Sequence, residues 1–239
     1  MALSELSPSS QNYLKAVWGL QEWSHAPVTP SLVAEATGMK LSTVSDAVRR
    51  LADKGLLDHA PYGAITLTES GRAYAIGMVR RHRLIETFLV EMLGYSWDLV
   101  HDEAESLEHA VSDFMIDRLD ALLGFPARDP HGDPIPSASG EIVYPDAIPL
   151  SSASPGSVLR IERISDDDPA LLQYFSEHGL AVGTTFEARE GSPFSDALEV
   201  VVGASSTGEA GVTRGVSISL GRTATDAVWV SLVDRGTNA

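Results

Sequence analysis

The stretch Thr29-Pro30-Ser31-Leu32-Val33-Ala34-Glu35-Ala36-Thr37-Gly38-Met39-Lys40-Leu41-Ser42-Thr43-Val44-Ser45-Asp46-Ala47-Val48-Arg49-Arg50-Leu51 decides how this chain folds. Thr29 reads as an N-cap whose hydroxyl accepts from a first-turn amide, and Pro30 suits the first helical position because it has no amide to leave unpaired. Gly38 fits the stop, where a left-handed residue closes the helix. Ser42 reads as the cap of a second helix. Val44, Val48 and Leu51 then recur at a four-then-three spacing that makes one buried stripe, closing near Gly55. Helix, tight glycine turn, then a helix rich in Ser, Thr and Arg is the helix-turn-helix pattern.

Outward from this motif, Asn12 to Leu20 has apolar residues at Tyr13, Leu14, Val17, Trp18 and Leu20, which predicts a helix with a broad buried face. Leu56 to Thr68 reads as two short strands around Pro61-Tyr62-Gly63, the wing of a winged helix. A generic small helical domain with a hairpin gives the same pattern, but the order helix, helix-turn-helix, hairpin favours DNA binding. On the recognition helix Ser42, Thr43 and Ser45 are short donors near the N-terminus, although Ser45 serves equally as surface filler. Lys40, Arg49 and Arg50 are phosphate candidates, whose loss would lower affinity and flatten its salt dependence. Asp46, if it faces DNA, can accept from a cytosine amino group. Tyr62 at the wing tip is placed to touch the backbone.

A second informative segment is His101-Asp102-Glu103-Ala104-Glu105-Ser106-Leu107-Glu108-His109. At about 100° per residue, His101, Glu105, Glu108 and His109 fall within roughly 100° of arc on one helical face. Ala104, Leu107, Val111 and Phe114 lie on another face, available for packing. Upstream, His82 and Glu86 share a face four residues apart, beside an apolar surface of Leu84, Ile85, Phe88, Leu89 and Met92, with Gly94 as a stop. Two helices, Ser70 to Gly94 and about Trp97 to Leu123, would bring six imidazole and carboxylate ligands together around a divalent cation. A solvated acidic helix is the alternative, but it leaves the facing stripes repelling one another.

The chain has 239 residues, a net charge of -16 and no cysteine. The missing cysteines exclude disulfides and thiolate chemistry and steer any metal site toward N and O donors. The charge argues against nucleic acid only until the chain is divided. Residues 1–84 hold nine Lys/Arg against seven Asp/Glu, whereas residues 85–239 hold eight against twenty-six, so the acid lies outside the helix-turn-helix region. No stretch approaches the ~18 apolar residues of a membrane span. The first thirty residues lack a signal-peptide pattern, so the expected location is the cytoplasm.

Phe125 to Leu150 holds six of the thirteen prolines and reads as a linker or irregular loop. Beyond it come strand-like runs at Val158–Ile164, Thr184–Ala188, Leu198–Val202, Gly215–Leu220 and Ala227–Leu232, interrupted by a helical piece from Pro169 to His178. Five short strands in about eighty residues suggest a small barrel.

With these pieces in place the chain resembles the diphtheria-toxin-repressor family of metal-dependent transcriptional regulators, in its three-domain manganese-responsive form. The residues carrying the resemblance are Asn12-Tyr13-Leu14-Lys15, Ser42-Thr43-Val44-Ser45, Arg80-Arg81-His82-Arg83-Leu84, Val100-His101-Asp102-Glu103-Ala104-Glu105, Glu108-His109-Ala110-Val111-Ser112-Asp113 and Asp129-Pro130-His131-Gly132-Asp133-Pro134-Ile135-Pro136. The last string has no chemistry derivable from sequence. The resemblance implies an α+β multidomain chain: a winged helix-turn-helix over residues 1–74, a helical dimerisation and metal-binding domain over 75–142, a linker over 143–155 and an SH3-like small β-barrel over 156–239.

It also implies two Mn²⁺ positions per subunit, with Fe²⁺, Co²⁺, Zn²⁺ or Cd²⁺ as substitutes in vitro. Asn12, Glu105, Glu108 and His109 match the primary position. His82, Glu86 and His101 match the ancillary one, to which the third domain contributes at positions matching Arg163 and Asp166; of these only Asp166 can ligate a cation. Iron-responsive members carry a cysteine at Glu105 and a methionine at Asn12. Oxygen donors at both suit the harder Mn²⁺. The manganese branch has an aspartate at Asn12, and some short members have a carboxylate at Lys15.

The implied function is a Mn²⁺-activated, Fe²⁺-cross-responsive homodimeric repressor of metal-uptake genes acting on a palindromic operator in double-stranded DNA. Metal bridging Asn12 to the helical domain would fix the reading head relative to the dimer axis. The remaining histidines, His25, His59, His131 and His178, read as surface or structural, and Asp166-Asp167-Asp168 as a solvated helix cap. A metal-dependent hydrolase using Glu105 or Glu108 as general base is the rival class, and a metal-storage module a third. Both leave the helix-turn-helix unexplained.

Overall fold

The computed structural model describes residues 5–24, 26–59, 63–203 and 215–233. The helix-turn-helix is present. Helix α1 (Pro8–Glu22) starts at an N-cap, Ser7, whose hydroxyl accepts from the Ser10 amide, and buries Tyr13, Leu14, Val17 and Trp18. Helix α2 (Pro30–Thr37) is capped by Thr29 and ended by Gly38 at φ 64°, as the sequence predicts. Helix α3 (Leu41–Asp53) differs at its start: Lys40, not Ser42, is the N-cap residue, with no side-chain cap bond. A lysine side chain cannot accept a hydrogen bond, so it does not cap this end, and Ser42 and Thr43 are exposed in the first turn.

Strands β1 (Leu57–His59) and β2 (Ile65–Leu67) pair antiparallel, with Leu57 opposite Leu67, and form the wing. Pro61 and Tyr62 lie outside the described residues. Val33, Val44, Val48, Leu51, Leu57 and Ile65 join the buried face of α1 in one core. Gly71 packs so closely beneath the wing that a Cβ there would meet the Leu56 carbonyl oxygen at 1.9 Å.

Helix α4 (Glu69–Leu93) runs unbroken through both His82 and Glu86. The single helix expected from Trp97 to Leu123 is instead two, α5 (Val100–Glu108) and α6 (Asp113–Leu122). Ser112 breaks it: in extended backbone, at ψ 156°, it caps α6 by accepting from the Met115 amide. Two consequences correct the helical-face reading. His109 lies in the turn after α5, and Phe114 is 75% exposed rather than packed with Ala104.

The chain forms two compact units, one of Met1–Ile85, Ala104–Phe125 and Ile135–Ile142, the other of Glu86–Glu103, Pro126–Pro134 and Val143–Ala239. The second unit contains strands β3 (Ile148–Pro149), β4 (Val158–Ile164), β5 (Thr185–Glu190), β6 (Leu198–Val202), β7 (Val216–Leu220) and β8 (Val228–Leu232), with helices α7 (Pro169–Glu177) and α8 (Arg222–Asp226). The sheet is antiparallel in the order β3-β8-β4-β5-β6-β7, its apolar face closed by Leu172 and Phe175 of α7. Asp168 caps α7 through the Ala170 and Leu171 amides, the role expected of that acidic run. No helix among the described residues is long and apolar enough to cross a membrane.

Candidate metal centre and DNA-reading helix

In the first unit α1 carries Gln11, Asn12 and Lys15 along a polar edge beside the face that enters the core. Glu108 at the end of α5 is fully buried. Both its carboxylate oxygens lie 2.8 Å from Lys15 Nζ, and Oε2 lies 2.6 Å from His82 Nδ1. Lys15 Nζ also reaches Glu105 Oε1 at 3.3 Å and His82 Nδ1 at 3.3 Å. Burial pushes the Glu108 carboxyl up, but the hydrogen bonds and charges of His82 and Lys15 outweigh it and hold the group below the ordinary glutamate value. Arg81 fixes the turn that follows by donating to the carbonyls of Glu108, at 3.3 Å, and Val111, at 2.6 Å, while pairing with Asp113.

His109 projects from that turn. Its Nδ1 lies 2.7 Å from Gln11 Oε1, while Gln11 Nε2 donates to the Leu6 carbonyl at 3.1 Å. Because the amide nitrogen is committed to Leu6, Gln11 presents oxygen to His109, and Nδ1 must be the protonated nitrogen. His109 Nε2 is left with its lone pair, 3.6 Å from Glu108 Oε1. A hydrogen bond locking one ring nitrogen so that the other faces a carboxylate is the arrangement of metal-ligating histidines. Asn12 Oδ1 is buried with no hydrogen-bond partner among the described residues, an acceptor that a cation would satisfy. Asn12, Glu105, Glu108 and His109 offer nitrogen and oxygen donors of the kind a divalent cation takes, but among the described residues the ligand atoms of Glu105, Glu108 and His109 are not drawn into one close group.

In the second unit His101 Nδ1 is 3.0 Å from Asp166 Oδ2 and 3.4 Å from Glu86 Oε1. Burial opposes charge on this imidazole, yet the hydrogen bonds and charges of Asp166 and Glu86 push its pKa up to about 10. His82 lies one turn before Glu86 on α4, as the sequence predicts.

A second grouping, Glu86, Asp129 and His131, has all three residues buried with ligand atoms close together, and the sequence reading of His131 as surface or structural does not foresee it. His131 Nε2 donates to the Trp97 carbonyl at 2.7 Å. Its Nδ1 is buried without a hydrogen bond among the described residues, 3.9 Å from Glu86 Oε2. The motif containing it now has a structural explanation. Asp129 Oδ1 accepts from the amides of His131 and Asp133, each at 2.9 Å, and Gly132 turns at φ 90° where a Cβ would meet the Glu162 carbonyl oxygen at 2.1 Å. Asp133 accepts from Arg163 Nε at 2.7 Å, so Arg163 holds this loop and not an ion. His178 bonds the Tyr174 carbonyl and His59 is exposed, both in the expected roles, while His25 lies outside the described residues.

On α3, Lys40, Ser42, Thr43, Asp46, Arg49 and Arg50 are exposed along one side. Ser45 is half-buried and its hydroxyl donates to the Leu41 carbonyl at 2.9 Å, keeping it close to the helix. Asp46 pairs with Arg49 at 3.2 Å.

An exposed recognition helix, an adjoining α1 whose Lys15 meets a buried carboxylate and imidazole, and an antiparallel β-domain are the make-up of a metal-dependent transcriptional repressor. Comparison with known proteins agrees. Residues 5–65 match the iron-dependent repressor N-terminal DNA-binding domain, residues 68–137 its metal-binding and dimerisation domain, and residues 148–232 the FeoA domain. The iron-dependent repressor IdeR of Mycobacterium tuberculosis is 33% identical over 178 residues, 74% of this chain and 75% of that protein. The diphtheria toxin repressor of Corynebacterium glutamicum is 31% identical over 193 residues, covering 76% and 84%. A solved manganese-dependent transcriptional repressor in complex with manganese superposes with a TM-score of 0.86 at 46% identity, covering 94% of this chain and 100% of that one. The chain belongs to the iron-dependent repressor family, whose members are DNA-binding regulators and not enzymes. The hydrolase reading is thereby withdrawn.

Proposed function

We propose that the protein is a Mn²⁺-activated homodimeric repressor of metal-uptake genes, cross-responsive to Fe²⁺ and acting in the cytoplasm on a palindromic operator. The observation that carries the metal reading is the Gln11–His109–Glu108 chain, in which an amide oxygen fixes the imidazole so that its free nitrogen meets a buried carboxylate. Asn12, Glu105, Glu108 and His109 would hold the primary ion, and the all-oxygen-and-nitrogen donor set suits Mn²⁺. His82, Glu86, His101 and Asp166 would hold a second one, with Asp129 and His131 as further donors beside Glu86. Co²⁺, Zn²⁺ or Cd²⁺ are expected to substitute in vitro, in keeping with the solved ScaR structures that carry Zn²⁺ and Cd²⁺.

A cation at the primary position supplies a positive charge shared by donors on α1 and α5. The chain does the rest. The opposite face of α1 is built into the core that supports α2 and α3, so fixing α1 fixes the recognition helix. Linkage then requires DNA to raise metal affinity by the factor by which metal raises DNA affinity. Exposed Phe114, Met115 and Leu122 on α6 are available to a second copy of the chain. Two recognition helices one helical turn apart would meet a palindrome, with Lys40, Ser42, Thr43, Ser45, Asp46, Arg49 and Arg50 facing DNA and Tyr62 at the wing. The domain limits go with this reading: 1–74 for the winged helix, 75–142 for the helical domain and 156–239 for the β-barrel after a linker.

The test is selection of genomic DNA fragments by the purified protein in Mn²⁺, in anaerobic Fe²⁺ and in chelator. A palindromic site enriched in Mn²⁺, weaker in Fe²⁺ and absent in chelator is the expected result. Equal recovery with and without metal would leave the metal a structural role and sink the switch.

A further inference from the structure

We propose that Lys15 is a tethered cation that takes the place of the primary metal in the metal-free protein and competes with metal for the same carboxylates. The inference rests on the metal-regulator reading and adds to it a residue that sets how much metal is needed.

The geometry is that of a cation in a cage. Lys15 Nζ meets both oxygens of Glu108 at 2.8 Å and one of Glu105 at 3.3 Å, and comes within 3.3 Å of His82 Nδ1. Its side chain is 16% exposed, and that of Glu108 is completely buried. The two glutamates it gathers are both candidate ligands of the primary ion. A transition-metal ion bonds a carboxylate oxygen at about 2.0–2.2 Å, so metal and ammonium cannot engage the same Glu108 oxygens in the same place. Two positive charges in a water-poor site also repel strongly. Metal entry must therefore displace the ammonium.

Lys15 lies on α1, three residues after Asn12 and four after Gln11. In the metal-free protein it ties α1 to the end of α5 through the bond that an ion would later make. Lys15 thus has two effects of opposite sign: it stabilises the metal-free form and weakens metal binding. A lysine that is only a structural ion-pair partner has one sign, since removing it would loosen the ligands and weaken both. An unpaired buried carboxylate left by its removal would, in contrast, gain most from an ion.

The experiment uses the full-length protein, stripped of metal. Mn²⁺ binding is followed by loss of the free-ion electron paramagnetic resonance signal, and thermal unfolding is recorded in chelator, for wild type, Lys15→Met, Lys15→Arg and Glu108→Gln. The primary site is the one that Glu108→Gln removes. Lys15→Met should bind Mn²⁺ there about tenfold more tightly, within the usual range for two coupled ligands, while unfolding at lower temperature in chelator. Lys15→Arg, which keeps the charge, should not gain affinity. Equal or weaker Mn²⁺ binding by Lys15→Met would overturn the proposal. Absence of Mn²⁺ binding by wild type would overturn it too, but through failure of the metal-regulator reading, and the two outcomes are distinct.

If Lys15→Met does not fold, wild type alone decides. Amine acetylation read by mass spectrometry should rise at Lys15 on Mn²⁺ saturation, relative to exposed Lys40 and Lys54. Unchanged labelling at Lys15 in protein that has bound the metal would contradict displacement.

Discussion

Glu108 has no solvent exposure, yet both its carboxylate oxygens lie within 2.8 Å of the ammonium of Lys15, a residue ninety-three positions earlier on α1. This pair joins α1, which packs in one core with the recognition helix, to the end of α5. Taking the charge from one member leaves the other buried and unbalanced, which typically costs about 3–5 kcal/mol. Glu108→Gln should therefore destabilise the metal-free protein by about 3 kcal/mol, measured by urea unfolding in chelator. It should also abolish metal-induced stabilisation.

Gln11 accepts from the outer nitrogen of His109 and donates to the Leu6 carbonyl, so its effect should appear in metal affinity as well as in local packing of α1. Gln11→Leu removes the acceptor that selects the Nδ1–H form of the ring. Outer partners of this kind are generally worth about 10–100-fold in metal affinity, and a loss of about tenfold in Mn²⁺ binding is expected. Circular dichroism should remain unchanged.

Gly132 combines a left-handed backbone with a carbonyl 2.1 Å from where its Cβ would be. Gly132→Ala must move β4 or abandon the turn, displacing His131 and the Asp133–Arg163 pair. Destabilisation of about 2–3 kcal/mol is expected, with the ancillary metal lost before the primary one. Titration of Mn²⁺ stoichiometry together with thermal unfolding separates the two effects.

Glu162 gives the β-domain an acid limb. Burial raises its pKa, but the hydrogen bonds from Arg128, at 2.5 Å, and Ser231, at 2.6 Å, with the charges of Arg128 and Arg160, bring it below the ordinary value of 4.5. A carboxylate with a lowered folded pKa binds fewer protons folded than unfolded. Its contribution is therefore complete above pH 4.5 and is lost as pH falls through the lower folded value. The stability difference between wild type and Glu162→Gln should be constant near neutrality and shrink below that point, read by denaturant unfolding across pH.

Much of this was legible because it is local. Thr29 and Gly38 bound α2 through caps and φ preference, and the 3.6-residue spacing of Val44, Val48 and Leu51 selects the buried side of α3. Glu105, Glu108 and His109 stood out because few solvated helices need two acids and an imidazole at one end. What stayed hidden depends on contacts between distant segments. A helix continuing from Glu108 to Phe114 has no breaker by propensity alone; Arg81, thirty residues away, holds the turn through the Val111 carbonyl, and Ser112 then caps α6. Gln11 and Lys15 resemble ordinary helix-surface residues until α5 is brought against α1. The burial of His131 and its bond to the Trp97 carbonyl, thirty-four residues away, depend on contacts that its sequence neighbours do not show.

The account stands most directly on one measurement: fluorescence anisotropy of a labelled operator with wild-type protein at saturating Mn²⁺ and in excess chelator, at fixed salt. It predicts binding at least tenfold tighter with Mn²⁺, the order of a moderate allosteric coupling, and loss of that gain in Glu108→Gln. Equal operator affinity in both conditions would contradict it.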